Sequence, residues 1–397
     1  MTWREYRVKD AAGITNGHPF DATQFSERGE LALVRIRDLV APAFTTYVPR
    51  DSAPEGVLLN DGDIVIGMDG DFNAVLWRRG EAALNQRLCA LRTNPSFDRR
   101  FLAYLLPAPL KAINDLTYST TVKHLSSKQI ADIRFLAPDA VQQGRIADYL
   151  DRETAQIDAL IAKQERLIVT LRERRMSLQA DAVTRGLHGA PLRDSGVEWL
   201  GLVPSHWEIR PLWTLFERIK NVGHPTEQML SVFREFGVVV KEHHANLNQT
   251  AENRDIYQLV HPGWLVSNRM KAWQGSVGIS RHRGIVSGHY ICFAPRHDQH
   301  SGFLDWLFRS SAYAAGYGAI SRGVRIGQAE IDNDLYRVMP VLLPPVDEQA
   351  EIAKHLDQKT AKIDALIAKA ERFIELSKER RSALITAAVT GQLEIPR

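Results

Sequence analysis

The segment Ile-Asp-Ala-Leu-Ile-Ala-Lys occupies residues 157–163 and occurs again, unchanged, at residues 363–369. It belongs to a longer repeat, because residues 146–187 match residues 352–393 without a gap at 24 of 42 positions. The two copies are 206 residues apart, and each follows a longer segment of mixed, strand-rich sequence. Self-similarity at a fixed distance indicates a duplicated structural plan. The sequence therefore predicts two related half-molecules with two related sites.

The two repeated segments carry the clearest periodicity of the chain. Apolar residues recur at alternating spacings of three and four, which is the heptad pattern of a coiled-coil helix. A helix of about 35 to 40 residues extends on the order of 55 Å, which is too long for an internal helix of a compact domain. Each apolar stripe needs a partner, and the other helix is the simplest one. The positions that we assign to this seam are Leu150, Ile157, Ile161, Ile168 and Leu171 in the first helix and Leu356, Ile363, Ile367 and Ile374 in the second.

The order of the segments favours an antiparallel helix pair. The second globular segment begins near the far end of the first helix, and the second helix starts from that segment, so it most easily runs back. Two equivalent antiparallel helices are related by an approximate two-fold axis. An alternative is that the helices pair with those of another copy of the chain. The expected fold is α+β, with two globular domains joined by two long helices that pack as an antiparallel coiled coil with pseudo-two-fold symmetry.

Both globular segments alternate short strand-like runs with turn signals. In the first, such runs lie at residues 31–36, 63–66 and 88–91. The second repeats the plan, since residues 262–266 resemble residues 61–65. The match is faint elsewhere, which suggests a common frame that presents two different surfaces. The predicted boundaries are residues 1–141 for the first globular domain, 142–187 for the first long helix, 188–203 for a linker, 204–346 for the second globular domain and 347–393 for the second long helix.

Composition is that of a globular protein, which we expect in the cytoplasm. The 397 residues with 44% hydrophobic content suffice for two cores, and no apolar run approaches the roughly 20 residues of a membrane span. Met1 is followed by Thr-Trp-Arg-Glu-Tyr, which is typical of neither a secretory signal nor a transit peptide. Cys89 and Cys292 lie at comparable points of the two halves, in sequences typical of buried strands. We therefore expect thiols and no disulfide.

The distribution of charge is more informative than the net charge of +3. No acidic residue occurs between Asp255 and Asp298, nor between Asp305 and Glu330, although both stretches carry several arginines. A local excess of positive charge is the electrostatic footprint of a surface that binds a phosphate backbone. The alternative is that these are scattered, solvated arginines on a large domain.

Candidate DNA contacts are residues with the right chemistry in these two stretches of the second globular segment, and a further set is chosen in the first. Cations bind phosphates, whereas discrimination between bases needs forked donors and acceptors. For each candidate the alternative is an ordinary solvated side chain. In the second globular segment the candidates are Arg269, Lys271, Trp273, Gln274, Arg281, His282 and Arg283, together with Arg322 and Arg325 in a glycine-rich loop. In the first they are Arg78, Arg79, Gln86, Lys123 and His124.

The sequence lacks the motifs that catalysis would require. No Gly-x-x-x-x-Gly-Lys-Ser/Thr loop is present, so ATP-driven movement is not encoded here. Residues 94–97, Asn-Pro-Ser-Phe, are similar to the Asn-Pro-Pro-Phe/Tyr motif of amino-methyltransferases. They lack its second proline, and no glycine-rich loop for S-adenosylmethionine precedes them. No Cys-x-x-Cys or His-Glu-x-x-His spacing occurs. We therefore predict neither a catalytic nor a metal site.

One motif joins the second globular segment to its helix. Residues 342–349, Leu-Leu-Pro-Pro-Val-Asp-Glu-Gln, lead directly into the repeated helix, whereas the first copy has Ala-Pro-Asp-Ala-Val-Gln-Gln at residues 137–143. Residues 120–125 and 323–326 lie late in the two globular segments, at comparable points. With the order domain, helix, domain, helix, this combination resembles the specificity subunit of Type I restriction-modification systems, over nearly the whole chain.

The resemblance implies a function. Each globular segment would be a target recognition domain that reads one half of a bipartite, asymmetric sequence in double-stranded DNA, and the helices would set the gap and hold methyltransferase subunits. The chain would be non-catalytic, with two methyltransferase (M) subunits and two restriction (R) subunits as partners and no membrane. It would bind no cofactor, because S-adenosylmethionine and ATP belong to those partners. The alternatives are a coiled-coil scaffold with two protein-binding heads and a self-sufficient methyltransferase or nuclease.

Overall fold

The computed structural model describes residues 2–116, 123–241, 254–323 and 329–395. The chain divides into two compact units. Each unit holds one globular domain together with a section of each long helix. The first unit comprises Met1–Gln164 and Arg372–Arg397, and the second comprises Glu165–Glu371.

The first domain is a mixture of short strands and short helices, followed by the first long helix, α5. Its strands are β1 (Arg4–Arg7), β2 (Ala12–Asn16), β3 (Leu31–Val34), β4 (Tyr47–Val48), β5 (Leu58–Leu59), β6 (Ile64–Gly67), β7 (Ala74–Leu76), β8 (Ala82–Leu84), β9 (Leu88–Thr93) and β10 (Arg134–Ala137). Its helices are α1 (Val8–Ala11), α2 (Arg99–Leu105), α3 (Pro107–Leu116), α4 (Ser127–Ala131) and α5 (Ala140–Arg185).

The second domain has the same mixture and ends in the second long helix, α9. Its strands are β11 (Leu192–Asp194), β12 (Leu202–Pro204), β13 (Glu208–Pro211), β14 (Phe216–Ile219), β15 (Leu230–Phe233), β16 (Gly237–Val240), β17 (Gln258–Val260), β18 (Leu265–Asn268), β19 (Val277–Ile279), β20 (Gly284–Val286), β21 (Tyr290–Pro295), β22 (Ser321–Arg322), β23 (Glu330–Ile331) and β24 (Pro340–Leu343). Its helices are α6 (Ser301–Phe308), α7 (Ser311–Ala319), α8 (Asn333–Arg337) and α9 (Val346–Val389).

The core of the first domain lies on both faces of one antiparallel sheet, in the order β2-β9-β6-β7. Successive residues of a strand point to opposite faces. In β6, Ile64 and Ile66 enter one apolar cluster and Val65 enters another. Both faces are therefore buried, which explains why this strand is a continuous apolar run. The sheet β4-β3-β8-β5 contributes to the second cluster.

The second domain repeats this arrangement with the sheet β14-β21-β18-β19. Strand β18 alternates between two apolar clusters as β6 does. The turn before the strand is repeated too, since Gly62 and Gly263 have φ angles of 102° and 84°, a conformation that favours glycine. Their N–H groups donate to the carbonyls of Trp77 and Ser280, the residues that follow the partner strand. The predicted similarity of the two strand entries is confirmed.

In the first unit, the sections of the two long helices run antiparallel. Ile146, early in α5, packs in one cluster with Val389 at the end of α9. Further along α5, Asp158 Oδ1 lies 2.9 Å from Nε of Arg381, which is earlier in α9. Contacts that advance along one helix while they retreat along the other define an antiparallel pair, as predicted.

The second unit pairs its helix sections in the same sense. Arg175 Nε donates to Asp364 Oδ1 at 3.0 Å, and Val183, later in α5, shares a cluster with Ile352, earlier in α9. The ion pair repeats the one in the first unit, because both partners are displaced by the 206 residues of the repeat. The duplication thus preserves a specific contact between the helices as well as their apolar pattern.

The predicted seam positions are all at least partly buried. Thr154 and Thr360 are buried polar residues in the same stripes, and each hydroxyl donates to a carbonyl one turn earlier in its own helix, at 2.6 and 2.7 Å. The stripe therefore leaves no hydroxyl unsatisfied at these two points. The buried seam positions are Leu150, Ile157, Ile161, Ile168, Leu356 and Ile363, and the partly buried ones are Leu171, Ile367 and Ile374.

Residues 188–203, expected as a linker, form part of the second unit. They contain β11 and most of β12, which pair antiparallel. Leu200 and Val203 are buried in the main core of that unit. Apolar side chains at these positions account for the difference, because a segment that buries them gains the stability of the core.

Cys89 and Cys292 lie in the matching strands β9 and β21, buried and as thiols. Burial raises the pKa of both thiols to about 12, because an apolar surrounding disfavours the thiolate. The prediction of two buried strand cysteines is confirmed. Within the ranges described above, no helix is apolar over a length that would cross a bilayer.

Candidate nucleic-acid interface

Three chain segments meet at the end of β6. The backbone N–H of Met68 donates to the carbonyl of Arg87 at 2.9 Å, and the carbonyl of Met68 accepts the N–H of Leu125 at 2.7 Å. The loop after β6 is therefore held between the turn before β9 and the segment before α4. We name this junction the three-loop site of the first domain, and it comprises residues 68–73, 85–87 and 123–125.

The second domain builds the same junction at the end of β18. The N–H of Arg269 donates to the carbonyl of His289 at 3.0 Å, and the carbonyl of Arg269 accepts the N–H of Ile331 at 3.1 Å. These two bonds match those of Met68. In each domain one bonding partner lies directly before a core strand, and the other lies late in the domain. The three-loop site of the second domain comprises residues 269–276, 287–289 and 329–331.

Three predicted residues lie in the three-loop site of the first domain. Gln86 is exposed in its turn. Lys123 Nζ donates to the carbonyl and the side-chain oxygen of Asn114 at 2.6 and 3.0 Å, so its charge also secures the end of α3. His124 Nδ1 lies 2.7 Å from Asp69 Oδ1. Because an ionised carboxylate only accepts hydrogen bonds, a bond here has His124 as the donor.

Four predicted residues lie in the three-loop site of the second domain. Lys271 and Gln274 are exposed on the loop after β18. Trp273 is half-buried, and its indole N–H donates to a backbone carbonyl of the same loop at 3.1 Å, so it shapes the loop. Arg269 forms an ion pair with Glu330. The loop therefore presents exposed polar side chains on a backbone that its own residues hold in place.

The glycine-rich loop of the second domain is described only in part. Arg322 has a side chain that is 77% exposed, and its Nη2 lies 3.2 Å from Asp332 Oδ2. Ser321 and Arg322 pair with Ile331 and Glu330 in a short hairpin, which brings Arg322 next to the three-loop site. Arg325 lies outside the described residues.

The remaining candidates lie at the other end of the same hairpins. In β6–β7 the loop of the three-loop site is at one end, and the chain leaves β7 at the opposite end. The same holds for β18–β19. The structure thus divides the candidates into two groups in each domain. Those beyond β7 are Arg78 and Arg79, and those beyond β19 are Arg281, His282 and Arg283.

Arg79 is accounted for by contacts within the first domain. Its Nη1 donates to the carbonyls of Asp38 and Ala41 at 2.8 and 3.1 Å. Its guanidinium also lies 3.8 Å from the centre of the Phe44 ring, a cation–π contact. The side chain therefore stabilises the loop before β4, and its position needs no DNA to explain it.

The second group contains both paired and cleft-lining residues. Arg283 Nη2 lies 2.8 Å from Glu227 Oε1, and the N–H of His282 donates to Ser280 Oγ at 3.1 Å. Arg281 and Arg78 line clefts of about 360 and 950 Å³ in their own units. Arg78 and Arg281 therefore lie towards the long helices.

The two clefts are equivalent. In the first, Tyr104 Oη donates to Asp151 Oδ1 of α5 at 2.7 Å. In the second, Trp306 Nε1 donates to Asp357 Oδ1 of α9 at 2.9 Å, and the two aspartates are 206 residues apart. An aromatic donor on the helix after the core sheet thus anchors each domain to the long helix of its own unit.

Solved structures share this fold. One chain, from work on the complex assembly and conformational transition of the type I R-M system, aligns over 98% of both chains with a TM-score of 0.70 and 14% identity. The HsdS subunit of Thermoanaerobacter tengcongensis aligns over 98% of this chain and 97% of its own, with a TM-score of 0.51 and 14% identity. At this identity the likeness shows the fold alone, and it confirms the predicted α+β class with two long helices.

Sequence comparisons identify the family. Residues 1–168 match the family described as the Type I restriction modification DNA specificity domain. The EcoBI specificity subunit of Escherichia coli is 38% identical over 185 residues, which are 46% of this chain and only 39% of that relative. The EcoKI specificity subunit of Escherichia coli K12 is 22% identical over 91% of this chain and 82% of its own length. Residues 1–168 therefore carry a Type I restriction modification DNA specificity domain, and the relatives that match this chain are Type I specificity subunits. The predicted resemblance is thereby confirmed.

The motif that joins each globular domain to its long helix acts through its glutamine. Gln349 is buried; its Oε1 accepts the N–H of His300 at 3.0 Å, and its Nε2 donates to the carbonyl of Pro344 at 2.8 Å. In the first unit, Gln143 makes the same two bonds, to the N–H of Asp98 and the carbonyl of Pro138, at 3.0 and 2.9 Å. The first copy of the motif has a different sequence but keeps this residue, which ties each domain to its helix.

Replacing Gln349 with alanine is expected to lower the free energy of unfolding by about 2–3 kcal/mol, because it leaves a buried N–H and a buried carbonyl without their partner. The measurement is hydrogen exchange of backbone amides in the second domain, because the chain divides into two compact units. Gln358→Ala is the matched control, since that residue is exposed on the same helix. Equal stability of the two variants would contradict the role assigned to Gln349.

Sequence reasoning missed two residues of the three-loop site. Asp69 and Arg87 lie 3.4 Å apart, Oδ2 to Nε, in the first domain. Neither residue was among the candidates, although Arg87 stands beside one of them, Gln86. The bond of the Met68 N–H to the Arg87 carbonyl, which brings these segments together, spans 19 residues. No local pattern marks it. Among the residues that the structure describes, no group of three or more His, Cys, Asp or Glu could hold a metal ion.

Proposed function

We propose that this chain is the DNA-recognition subunit of a Type I restriction-modification complex and has no catalytic activity of its own. Each globular domain reads one half of a bipartite, asymmetric site in double-stranded DNA, and the long helices set the gap between the halves. The observation that carries this proposal is the three-loop site, which occurs once in each domain on the same backbone frame with different side chains.

The difference between the two sites supports an asymmetric target. Asp69 of the first domain corresponds to Met270 of the second, as judged from the shared bonds of the preceding residue. Likewise, Arg87 corresponds to His289. An aspartate–arginine pair and a methionine–histidine pair offer different donors and acceptors to base edges. One frame with two sets of side chains suits two unlike half-sites.

The exposed cations around the three-loop sites are suited to binding the phosphate backbone of DNA. Lys271 is exposed within the three-loop site of the second domain and Arg322 is exposed beside it, whereas Arg281 and Arg283 lie at the opposite end of the hairpin that carries the site. Contacts with phosphates fix the position of a protein on a duplex, whereas contacts with base edges carry specificity. We propose that the group beyond β19 binds phosphates and that the three-loop site reads bases.

The partners proposed are two methyltransferase (M) subunits and two restriction (R) subunits, which would carry S-adenosylmethionine and ATP in the cytoplasm. Both long helices expose large apolar side chains away from the seam. Leu160 and Leu366, 206 residues apart, are 48% and 50% exposed. Apolar side chains exposed at equivalent points of both helices suit an interaction surface. Its repetition suits two equivalent copies of one partner, such as the M subunit.

The test is DNA binding by the complex with its M subunits. The affinity for a duplex that contains the target is expected to fall by about 10³-fold or more between 50 and 200 mM salt, because contacts with several phosphates release counterions. Binding is measured as the fraction of labelled duplex that the complex retains on a nitrocellulose filter, at several salt concentrations. A scaffold with protein-binding heads would retain no duplex. A self-sufficient enzyme would methylate or cleave DNA without any partner.

A further inference from the structure

The first domain holds a carboxylate at the centre of its three-loop site. The Asp69 side chain is only 17% exposed, although it lies on a loop. The loop itself is fixed, because the N–H of Gly70 donates to the Lys123 carbonyl at 3.2 Å and Phe72 is buried at φ 50°. A left-handed conformation at a bulky residue is costly and persists only where its surroundings determine it. Asp69 is therefore held in one position.

Asp69 contacts a histidine and an arginine side chain. Its Oδ1 lies 2.7 Å from His124 Nδ1, and its Oδ2 lies 3.4 Å from Arg87 Nε. The Arg87 side chain is 58% exposed. In the part of the first domain that the structure describes, Asp69 is the acidic residue within ion-pair distance of Arg87. The carboxylate is thus next to Nε, and the contact leaves the two terminal amino groups of Arg87 available.

The available end of Arg87 has a specific chemistry. Two donors in a rigid fork match the O6 and N7 acceptors of guanine in the major groove. A guanidinium that is already oriented loses less freedom on binding than a mobile one. An isolated surface ion pair contributes little to stability. The combination of a fixed, half-covered carboxylate and an exposed arginine therefore suits recognition better than it suits folding.

The second domain lacks this arrangement. Met270 and His289 stand at the positions of Asp69 and Arg87, and the ion pair there joins Arg269 to Glu330. The Asp69–Arg87 pair therefore does not belong to the backbone arrangement that the two domains share. If the two domains prefer different bases, the difference must come from side chains such as these, which differ on the shared backbone.

We propose that Arg87 determines specificity in the first domain by reading one guanine of its half-site through the terminal amino groups. Asp69 is a positioning residue that orients Arg87, and His124 fixes the carboxylate. This inference rests on the proposed function, because it requires that the first domain read bases. The inference goes further than the proposed function because it assigns one base, guanine, to one residue. That residue, Arg87, was not among the candidates selected from the sequence.

The test uses the complex of the full chain with its M subunits and a duplex library randomised at the half-site of the first domain. Arg87→Ala is expected to lose about 10- to 100-fold in affinity for the guanine-containing target, at one position only. Arg87→Lys keeps the charge without the fork, so binding to all sequences returns while the preference for guanine does not. Asp69→Asn is expected to weaken the preference at that same position.

Arg134→Ala is the matched control, because this arginine of the first domain is equally exposed, at 59%, and also pairs with a carboxylate, that of Glu5. It is expected to leave all preferences unchanged. A uniform loss for Arg87→Ala across all sequences would make Arg87 a phosphate contact and overturn the inference. So would an unchanged preference, or a change in the other half-site. If the unaltered complex shows no sequence preference at all, the proposed function fails instead.

Discussion

Replacing Arg309 with alanine is expected to lower the free energy of unfolding of the second domain by about 3–5 kcal/mol, the usual cost of removing one partner of a buried ion pair. The Arg309 and Asp305 side chains are only 6% and 8% exposed, with Nη2 2.8 Å from Oδ2. Without the arginine, the aspartate stays buried without its charge partner. The measurement is hydrogen exchange of backbone amides in the second domain, since the chain has two units and one global transition is not assured.

The effect extends to the strands that Asp305 and Arg309 join. Asp305 Oδ1 accepts the N–H of Ile279 in β19 at 2.9 Å, and Arg309 Nη1 donates to the carbonyl of Glu235 at 3.0 Å, in the turn between β15 and β16. Helix α6 is thereby tied to the end of β19 that carries Arg281. We expect faster exchange at Ile279 in particular.

Arg372→Ala is the control for this variant. Arg372 also pairs with a carboxylate, Glu375, three residues away on its own helix, but the two side chains are 61% and 65% exposed. Solvent screens such a pair, so the expected loss is below about 1 kcal/mol. If Arg309→Ala cost no more than Arg372→Ala, the account of the buried pair would be wrong.

Replacing Ile161 with aspartate is expected to destabilise the helix pair of the first unit by about 3 kcal/mol or more, because it combines loss of a buried side chain with burial of a charge. Ile161 is 8% exposed. It lies one turn after Asp158, which pairs with Arg381 of α9, so this face of α5 is the one against α9. The measurement is thermal unfolding, followed by the helical circular dichroism signal.

Leu160→Asp provides the matched control at the neighbouring position. Leu160 is 48% exposed, so the same charge there stays in water and should cost less than about 1 kcal/mol. The comparison separates the effect of burial from that of placing an aspartate in a helix, which is the same in both variants. Similar midpoints for the two variants would show that Ile161 does not belong to the seam.

The helices could be predicted from the sequence because their contacts are periodic. Spacings of three and four residues place Leu150, Ile157 and Ile161 on one stripe whatever their partner, and the duplication supplied the partner. The turns at Gly62 and Gly263, which lead into β6 and β18, were predictable from a different local signal, a glycine before an apolar run. Local patterns thus account for the elements of the fold.

The sites could be predicted only in part because they are assembled from distant segments. Charge selected Arg79, whose guanidinium binds carbonyls about 40 residues away along the chain. Charge did not select Arg87, because the role proposed for Arg87 depends on the Asp69 carboxylate, which belongs to a different loop. A sequence shows which residues have suitable chemistry, but only the fold shows which of them are already engaged. The shared bonds around Met68 and Arg269 then locate the two sites.

The most direct measurement of the central claim is a map of methylated bases in a genome that carries this chain with the proposed M subunits. The account predicts one motif in two unlike parts, separated by a constant number of unread base pairs. Arg87→Ala should relax a single guanine in one of those parts and leave the other unchanged. A continuous motif, two identical halves or a gap that varies from site to site would contradict the account.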